Sequence, residues 1–481
     1  MIAIVCTLLS AVAFYISVGL GDQWWLAWIA PIPILWLAFG DTKAWHVFFA
    51  AWAALALGTT SLLRAYAGLL PVPVLFLIIF APSLSFAASV MGARRVQRTL
   101  GPVAAMVAFA ALWTAFDFLA SFSRAGGTAS TPAATQVGAP LLMQSASLVG
   151  FLGITFLLGF VAAGLALGLR TRNPVPALLA VALFAANAAY GYWRLSIPPT
   201  GSIRVALIDS NDTMGPVNHA NREAALKDID AYAAQIAKLA DARVQLIVLP
   251  ENIAQIAPAW RSEAQARLAH AAAQVHATLV AGFNTRLDGA QRNVSWAFAP
   301  GSVSPVTYEK RRLVPVLETA VYAPGPGPKV LADGTGLEIC KDMDFQAMIR
   351  SDTAATRPAL LAVPAWDFGL DDWSHARIAV LRSVENGVPM ARSARNGLLT
   401  LNDRYGRLVA AARTVGGFKV VTADLPLAGR GGATLYDRIG DVLGWLSIAL
   451  GLALVAASLM RNREAVPGAP RSSVTSGPAS A

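Results

Sequence analysis

The chain has 481 residues, of which 56% are hydrophobic and only 14% charged, and its mean hydropathy is +0.53. That is too apolar for a soluble protein of this length, so much of the chain is expected in lipid. The formal net charge of +10 is dispersed between apolar runs, which fits orientation in a membrane and argues against nucleic acid as a partner. Two distant cysteines and five scattered histidines offer neither a disulfide framework, nor a cysteine zinc site, nor an HExxH spacing, so no metal is expected.

Apolar runs long enough for a bilayer core of roughly 30 Å fall at 2–20, 24–39, 45–63, 71–91, 102–122, 141–169 and 175–193. The second is short and carries Pro31 and Pro33, so it reads as tilted or re-entrant. The first lacks a basic leader and is followed at once by more apolar sequence, so it reads as a span rather than a cleaved signal. With a cytoplasmic N-terminus, the inner loops carry Lys43, then Arg94, Arg95 and Arg98, then Arg170 and Arg172; the outer loops carry only Arg64 and Arg124. Seven crossings would deliver residue 194 onward to the outside, the periplasm in a bacterium. A further run at 441–460, followed by Arg461 and Arg463, would re-enter and leave an inner tail rich in Pro, Ser and Gly.

The expected organisation is therefore a transmembrane domain at 1–200, an extracytoplasmic domain at 201–428, a transmembrane helix at 429–462 and a disordered cytoplasmic tail at 463–481. Within the second domain RVALI, VQLIVLPE, ATLVAGF and NVSWAFAP alternate with helix-like EAALKDIDAYAAQIAKLA and RSEAQARLAHAAAQV. Short β-branched runs alternating with amphipathic segments predict a layered α/β domain.

Three residues in this domain fall at strand ends. Glu251 closes VQLIVLPE, as either a helix-capping anion or a general base. Lys310 lies in TYEKRRLVP, as part of a solvated or phosphate-facing basic patch or as an oxyanion stabiliser held by a carboxylate. Cys340 follows Gly336, Leu337, Glu338 and Ile339, read as a short strand, and is either a buried small hydrophobe or a nucleophile that needs both partners.

Glutamate, lysine and cysteine in this order, each after a strand, resemble the nitrilase superfamily. With the flanking helices the chain resembles the apolipoprotein N-acyltransferases, through WWLAWIAPIPIL, QSASLVGFLGITFLL, LIVLPE, YEKRRLVPVLE, APGPGP, LEICKD, HARIAVLRSVENGVPMARSARNG and TLYDRIGD. The resemblance implies a bundle of about eight transmembrane helices plus an α-β-β-α sandwich in the bacterial inner membrane, its catalytic domain facing the periplasm. It implies Glu251 as general base, Lys310 as oxyanion stabiliser, Cys340 as nucleophile and Glu318 of the LVPxxE motif as a supporting carboxylate. An acyl chain would pass from a phospholipid donor through a Cys340 thioester to the N-terminal amine of a lipoprotein acceptor, and the resemblance implies that no cofactor is needed.

Some stretches depart from that family's pattern. Lys341 and Asp342 stand where an aromatic and a glutamate are common, the interval from Glu318 to Cys340 is shorter, the stretch after the first strand lacks a tryptophan, and VPAWDFG replaces the usual pattern. Lys341 would either lower the thiol pKa or face solvent. A membrane-anchored amidase or other acyltransferase, and a catalytically silent scaffold, are the competing readings. Asp342, Trp366 and Phe368 are candidate substrate contacts, the two rings as pocket wall or core. Arg382, Glu385, Arg392 and Asn396 are expected as buried bracing pairs, Trp24, Trp25 and Trp28 as an interfacial belt, and the small polar loop 124–140 as a plain solvated connection.

Overall fold

A computed structural model describes residues 1–211, 221–427, 429 and 434–464. The expected tail from 465 onward lies outside the described residues, as does most of the tryptophan-free stretch after the first strand.

The apolar N-terminal half is helical: α1 Ile2–Ser17, α2 Leu26–Ile29, α3 Ile32–Ala38, α4 Ala44–Gly58, α5 Ser61–Tyr66, α6 Val72–Leu100, α7 Pro102–Ser121, α8 Ala146–Val149, α9 Phe151–Thr171 and α10 Pro174–Leu195. Four of these, α6, α7, α9 and α10, are long and apolar enough to cross a membrane, as is the C-terminal helix Val442–Arg461; three shorter apolar helices cover Ile2–Ser17, Leu26–Ala38 and Ala44–Gly58. The run at 24–39 breaks at Ala30 and Pro31 into α2 and α3, which together extend about 20 Å, short of a bilayer core of roughly 30 Å, so a crossing here needs local thinning of the bilayer. The run expected from 141 becomes a long helix only at Phe151. Gly150, with φ +71°, interrupts it, and a Cβ there would meet the Tyr436 ring at 2.5 Å.

Two sheets with four flanking helices follow in chain order. The first sheet draws on β1 Gly201–Ser210, helix α11 Arg222–Ala237, β2 Leu246–Val248, β3 Gln255–Ile256, helix α12 Arg261–Val275, β4 Thr278–Leu287, β5 Ala290–Phe298 and β6 Val306–Glu309. The second draws on β7 Lys329–Val330, β8 Thr335–Leu337, helix α13 Gln346–Thr356, β9 Leu360–Trp366, helix α14 Asp372–Asn386, β10 Met390–Arg395, β11 Leu398–Asn402 and β12 Leu408–Arg413. Strand β13 Phe418–Leu427 returns to the first sheet, and α15 Leu435–Ile439 leads into α16 Val442–Glu464. The strand orders are β13-β1-β2-β4-β5-β6, with β3 on β4, and β12-β11-β10-β9-β8-β7. Strands β1, β2 and β4 run parallel, as do β8, β9 and β10.

The two-residue alternation of strands sorts the side chains into layers. Val205, Leu207, Leu246, Val248, Leu360, Ala362, Leu399 and Leu401 meet between the sheets. Ala206, Ile208, Ile247 and Leu279 face the other way, onto α11 and α12. The outer face of the second sheet carries α13 and α14, whose Ile349, Val380, Leu381 and Val384 join one continuous core with the apolar helices. The result is an α-β-β-α sandwich with one flank built into the helical region.

Polar contacts fasten that flank. Ser374 Oγ donates to Gly19 O at 2.7 Å, Arg377 Nη1 to Gly21 O at 2.7 Å, and Gln346 Nε2 to Ser121 Oγ at 3.1 Å. The loop 124–140 is not a solvated connection. Its Thr128 donates through N and Oγ1, each at 2.8 Å, to Asp344 O, and a buried 3-10 turn, Pro132–Gly138, packs on α14. Trp28, expected in an interfacial belt, is buried and donates Nε1 to Gln136 Oε1 at 2.7 Å; Trp25 is exposed.

Candidate active site

Glu251, Lys310 and Cys340 follow the carboxyl ends of β2, β6 and β8, the kind of place where α/β sheets gather reactive groups. Glu251 lies three residues past β2. Its turn presses on β4 at Gly282, where a Cβ would come within 2.6 Å of Glu251 Cα; Ile253 N and Gly282 O close the contact at 2.9 Å. Lys310 directly follows β6, and its N–H donates to Asn293 O at 2.9 Å. The strand before Cys340 is shorter than expected, ending at Leu337, and Cys340 takes φ +41° at the start of a 3-10 turn. A non-glycine residue in that region carries about 1–2 kcal/mol of backbone strain, a conformation that projects the thiol off the strand end.

Lys310 and Glu251 are 1% and 2% exposed, so their charges must be satisfied internally. Lys310 Nζ donates to Glu251 Oε1 at 2.8 Å and to Glu318 Oε1 at 2.9 Å. Asn293 Nδ2 donates to the same two oxygens at 2.6 and 3.0 Å. Glu318 Oε2 accepts from Val314 N at 2.7 Å, which folds the LVPxxE loop around the lysine. Burial pulls the Lys310 pKa down, but Glu251 and Glu318 outweigh it and hold it well above the ordinary lysine value. Burial raises the Glu251 carboxyl, with Lys310 acting against it.

Cys340 Sγ lies 3.5 Å from Trp366 O. Burial and the Glu251 charge push its pKa well above that of an ordinary thiol; Lys310 and Arg392 act in the other direction. The resting group is therefore a thiol that needs a base. Lys341 neither faces solvent freely nor turns to the thiol: Nζ pairs with Asp344 Oδ2 at 3.0 Å.

Asp342 does not line the site as expected. It is fully buried, accepting from Tyr308 Oη and Arg312 N at 2.8 Å, Ile339 N at 3.1 Å and Arg311 N at 3.2 Å. It is a bracket that ties the lysine loop to the cysteine turn. Trp366 is half-buried with Arg395 stacked 4.5 Å from its ring, and Phe368 is half-buried between Tyr66 of α5, at 6.4 Å, and His375, at 6.2 Å. Arg382 and Glu385 pair at 3.1 Å, both fully buried, whereas Arg392 pairs with Asp367 rather than with either. Asn396 is half-buried, and its backbone N–H donates to Asn211 Oδ1 at 3.1 Å.

Sequence reading missed Asn293, Asp367 and the Asp371–His375 pair, 2.8 Å apart. Asn293 sits inside NVSWAF, where only the buried strand position distinguishes a ligand of two carboxylates from a surface amide. No cluster of His, Cys, Asp and Glu suited to a metal occurs among the described residues.

A family model described as carbon-nitrogen hydrolase matches residues 204–448, half of the chain, so the protein belongs to the carbon-nitrogen hydrolase family. A second model, the apolipoprotein N-acyltransferase N-terminal domain, matches residues 10–164. The chain is 26% identical to an apolipoprotein N-acyltransferase of Geobacter metallireducens, covering 91% of each chain. It is 27% identical to one of Pseudomonas aeruginosa, covering 81% of this chain and 83% of the relative. Among solved structures it is similar to an amidase from Nesterenkonia sp., with 22% identity, 48% of this chain and 93% of that one covered, and a TM-score of 0.39.

Proposed function

We propose that the protein is an N-acyltransferase of the bacterial inner membrane, moving an acyl chain from a phospholipid through Cys340 to the N-terminal amine of a diacylglyceryl-cysteine lipoprotein. The similarity to proteins of that name along nearly the whole chain supports the substrate class. The observation that carries it is where the site is fastened. The loop behind the nucleophile, Trp366 to Asp371, seats the Phe368 ring 6.4 Å from that of Tyr66 in the apolar region. A soluble-substrate enzyme has no use for that join; one whose donor stays in lipid does.

In the first half-reaction Glu251 takes the thiol proton, and Sγ attacks the ester carbonyl. The hydrogen bonds to this carboxylate fall on Oε1, which leaves Oε2 to act as base. Lys310 Nζ stabilises the oxyanion. The C–S bond forms, the ester C–O bond breaks, and the proton on Glu251 leaves with the lysophospholipid. In the second half the acceptor amine attacks the thioester, a C–N bond forms, the C–S bond breaks and the displaced proton restores the thiol. Glu318 and Asn293 keep Lys310 and Glu251 aligned through both.

The same reading takes the five long apolar helices and the three shorter apolar ones as eight crossings, with the sandwich in the periplasm as the loop charges predict. Exposed Val316, Leu317 and Val321 beside Glu318 give the lysine loop an apolar outer surface suited to lipid. The test is intact-protein mass after incubation in detergent with a phospholipid. One acyl group on the wild type and none on Cys340→Ala is expected; a wild type that stays unmodified with every phospholipid, its thiol still alkylatable, rejects the reading for an amidase.

A further inference from the structure

One cation near the cysteine turn makes no ion pair among the described residues. Arg311 is held by Glu338 at 3.1 Å and by Asp352, and Lys341 by Asp344. The Arg312 guanidinium makes no hydrogen bond or ion pair among the described residues. It lies over the Phe345 ring, 4.5 Å from the centroid, and Lys341 Nζ lies 5.9 Å from the same ring. A guanidinium stacked on an aromatic face keeps its in-plane N–H groups free, in the fork that matches a phosphate.

The place is as informative as the charge. The Asp342 carboxylate accepts from Arg312 N at 2.8 Å and from Ile339 N at 3.1 Å, so one side chain ties Arg312 to the residue before the nucleophile. Phe345 follows Asp344, whose carbonyl takes both bonds from Thr128 in the loop beyond α7; the same loop carries exposed Arg124. At that end of α7, Phe122 and Trp445 are exposed and cluster with Phe118, as rings do at the headgroup level of a bilayer. The cation therefore lies next to the cysteine turn, on the Phe345 ring that neighbours the Thr128 contact.

We propose that Arg312, stacked on Phe345 beside the Lys341–Asp344 pair, binds the anionic phosphodiester of the donor lipid and so sets its ester carbonyl against Cys340. This rests on the acyl-transfer reading above. A glycerophospholipid carries its ester a few bonds from its phosphate, so a cation fixed to the nucleophile loop selects donors by headgroup charge while the chemistry stays with Glu251, Lys310 and Cys340.

The experiment measures single-turnover acylation of Cys340 in the full chain in detergent, with phosphatidylglycerol and with diacylglycerol bearing the same acyl chains. The wild type is expected to prefer the phospholipid about tenfold or more, through a lower half-saturating concentration. Arg312→Ala should collapse that ratio and Arg312→Lys should keep part of it. Two arms need no variant: added salt should shrink the wild-type ratio, and the chain-free glycerophosphodiester should compete only weakly. Equal rates from the two donors, or an unchanged ratio in a folded Arg312→Ala protein, would overturn the proposal while leaving acyl transfer standing. Competition by the chain-free diester as strong as the lipid's would assign the cation to a soluble phosphate ester and overturn it too. No adduct from either donor would reject acyl transfer itself, and this proposal with it.

Discussion

The two sheets of the sandwich are built alike and placed differently. The first is flanked by α11 and α12, whose apolar faces close a core of their own. The second is flanked by α13 and α14, which share a single core with the apolar helices. The site divides along the same line. Glu251, Lys310, Asn293 and Glu318 come from the first sheet and its loops, while Cys340, Trp366, Asp367 and Arg392 come from the second. The groups proposed to move protons and hold charge thus sit on the half with a core of its own, and the proposed nucleophile sits on the half fastened to the helices. On the proposed reading chemistry and lipid access are therefore carried by different halves, and each should break alone.

The largest effect is expected in the first half. Glu251→Gln removes the base while keeping the shape that Lys310 and Asn293 grip, so Cys340 acylation should fall by about 10²–10⁴ with the unfolding midpoint little changed. Stopped-time mass measurement and a thermal melt check both. In the wild type the same rate should fall as pH drops through the Glu251 pKa, which burial raises above the ordinary glutamate value, because the protonated form cannot accept the thiol proton.

Next comes the joint of the second half. Glu385 on α14 accepts from Phe151 N, the first residue of α9, at 2.7 Å and pairs with Arg382, all fully buried. Burial lifts its pKa to about 7, against the pull of Arg382. Glu385→Ala would strand a buried guanidinium and a helix N-terminus, so a loss of about 3–5 kcal/mol is expected in denaturant unfolding. An unchanged midpoint would mean that the two regions do not depend on this contact.

The smallest effect is at the hinge between them. Burial pulls the His375 pKa down, but Asp371 and its hydrogen bond carry it from 6.5 up to about 9. The same pairing, against burial, takes Asp371 from 3.8 to about 2. A raised histidine contributes fully below its unfolded value and is lost as pH rises through the folded one; a depressed aspartate contributes above its unfolded value and is lost as pH falls through the folded one. The gap in unfolding free energy between wild type and His375→Gln should therefore be widest from about pH 4 to 6.5, on the order of 2 kcal/mol, and close by about pH 9. A gap that does not vary with pH would show that packing, not charge, fixes the Phe368 loop.

Much of this architecture was legible in the sequence because it follows from periodicity. The apolar runs at 2–20, 71–91, 102–122 and 175–193, the alternating strands of β1, β2, β4 and β5, and the helices α11 and α12 lie where their patterns point, while the runs at 24–39, 45–63 and 141–169 are each broken into shorter pieces. Glu251, Lys310 and Cys340 were readable as strand-end residues and Glu318 only through the family resemblance, and the four come together. What escaped was decided by tertiary contact. Asp342 has the residue type of a ligand and the burial of a bracket; Trp28 has the neighbours of an interfacial belt and a partner in Gln136. The loop 124–140 is polar in composition yet lies under Asp344 and α14, where its small residues allow close approach. No local pattern encodes such partners.

One measurement bears on the whole account. The purified protein is given a phospholipid and a synthetic diacylated lipopeptide, and both Cys340 and the peptide are followed by mass. The account predicts an acyl mass that appears on Cys340, passes to the peptide amine and is absent throughout from Cys340→Ala. An acyl-enzyme that releases only free fatty acid, with the peptide unchanged, would contradict it, because water and not an amine would then be the acceptor.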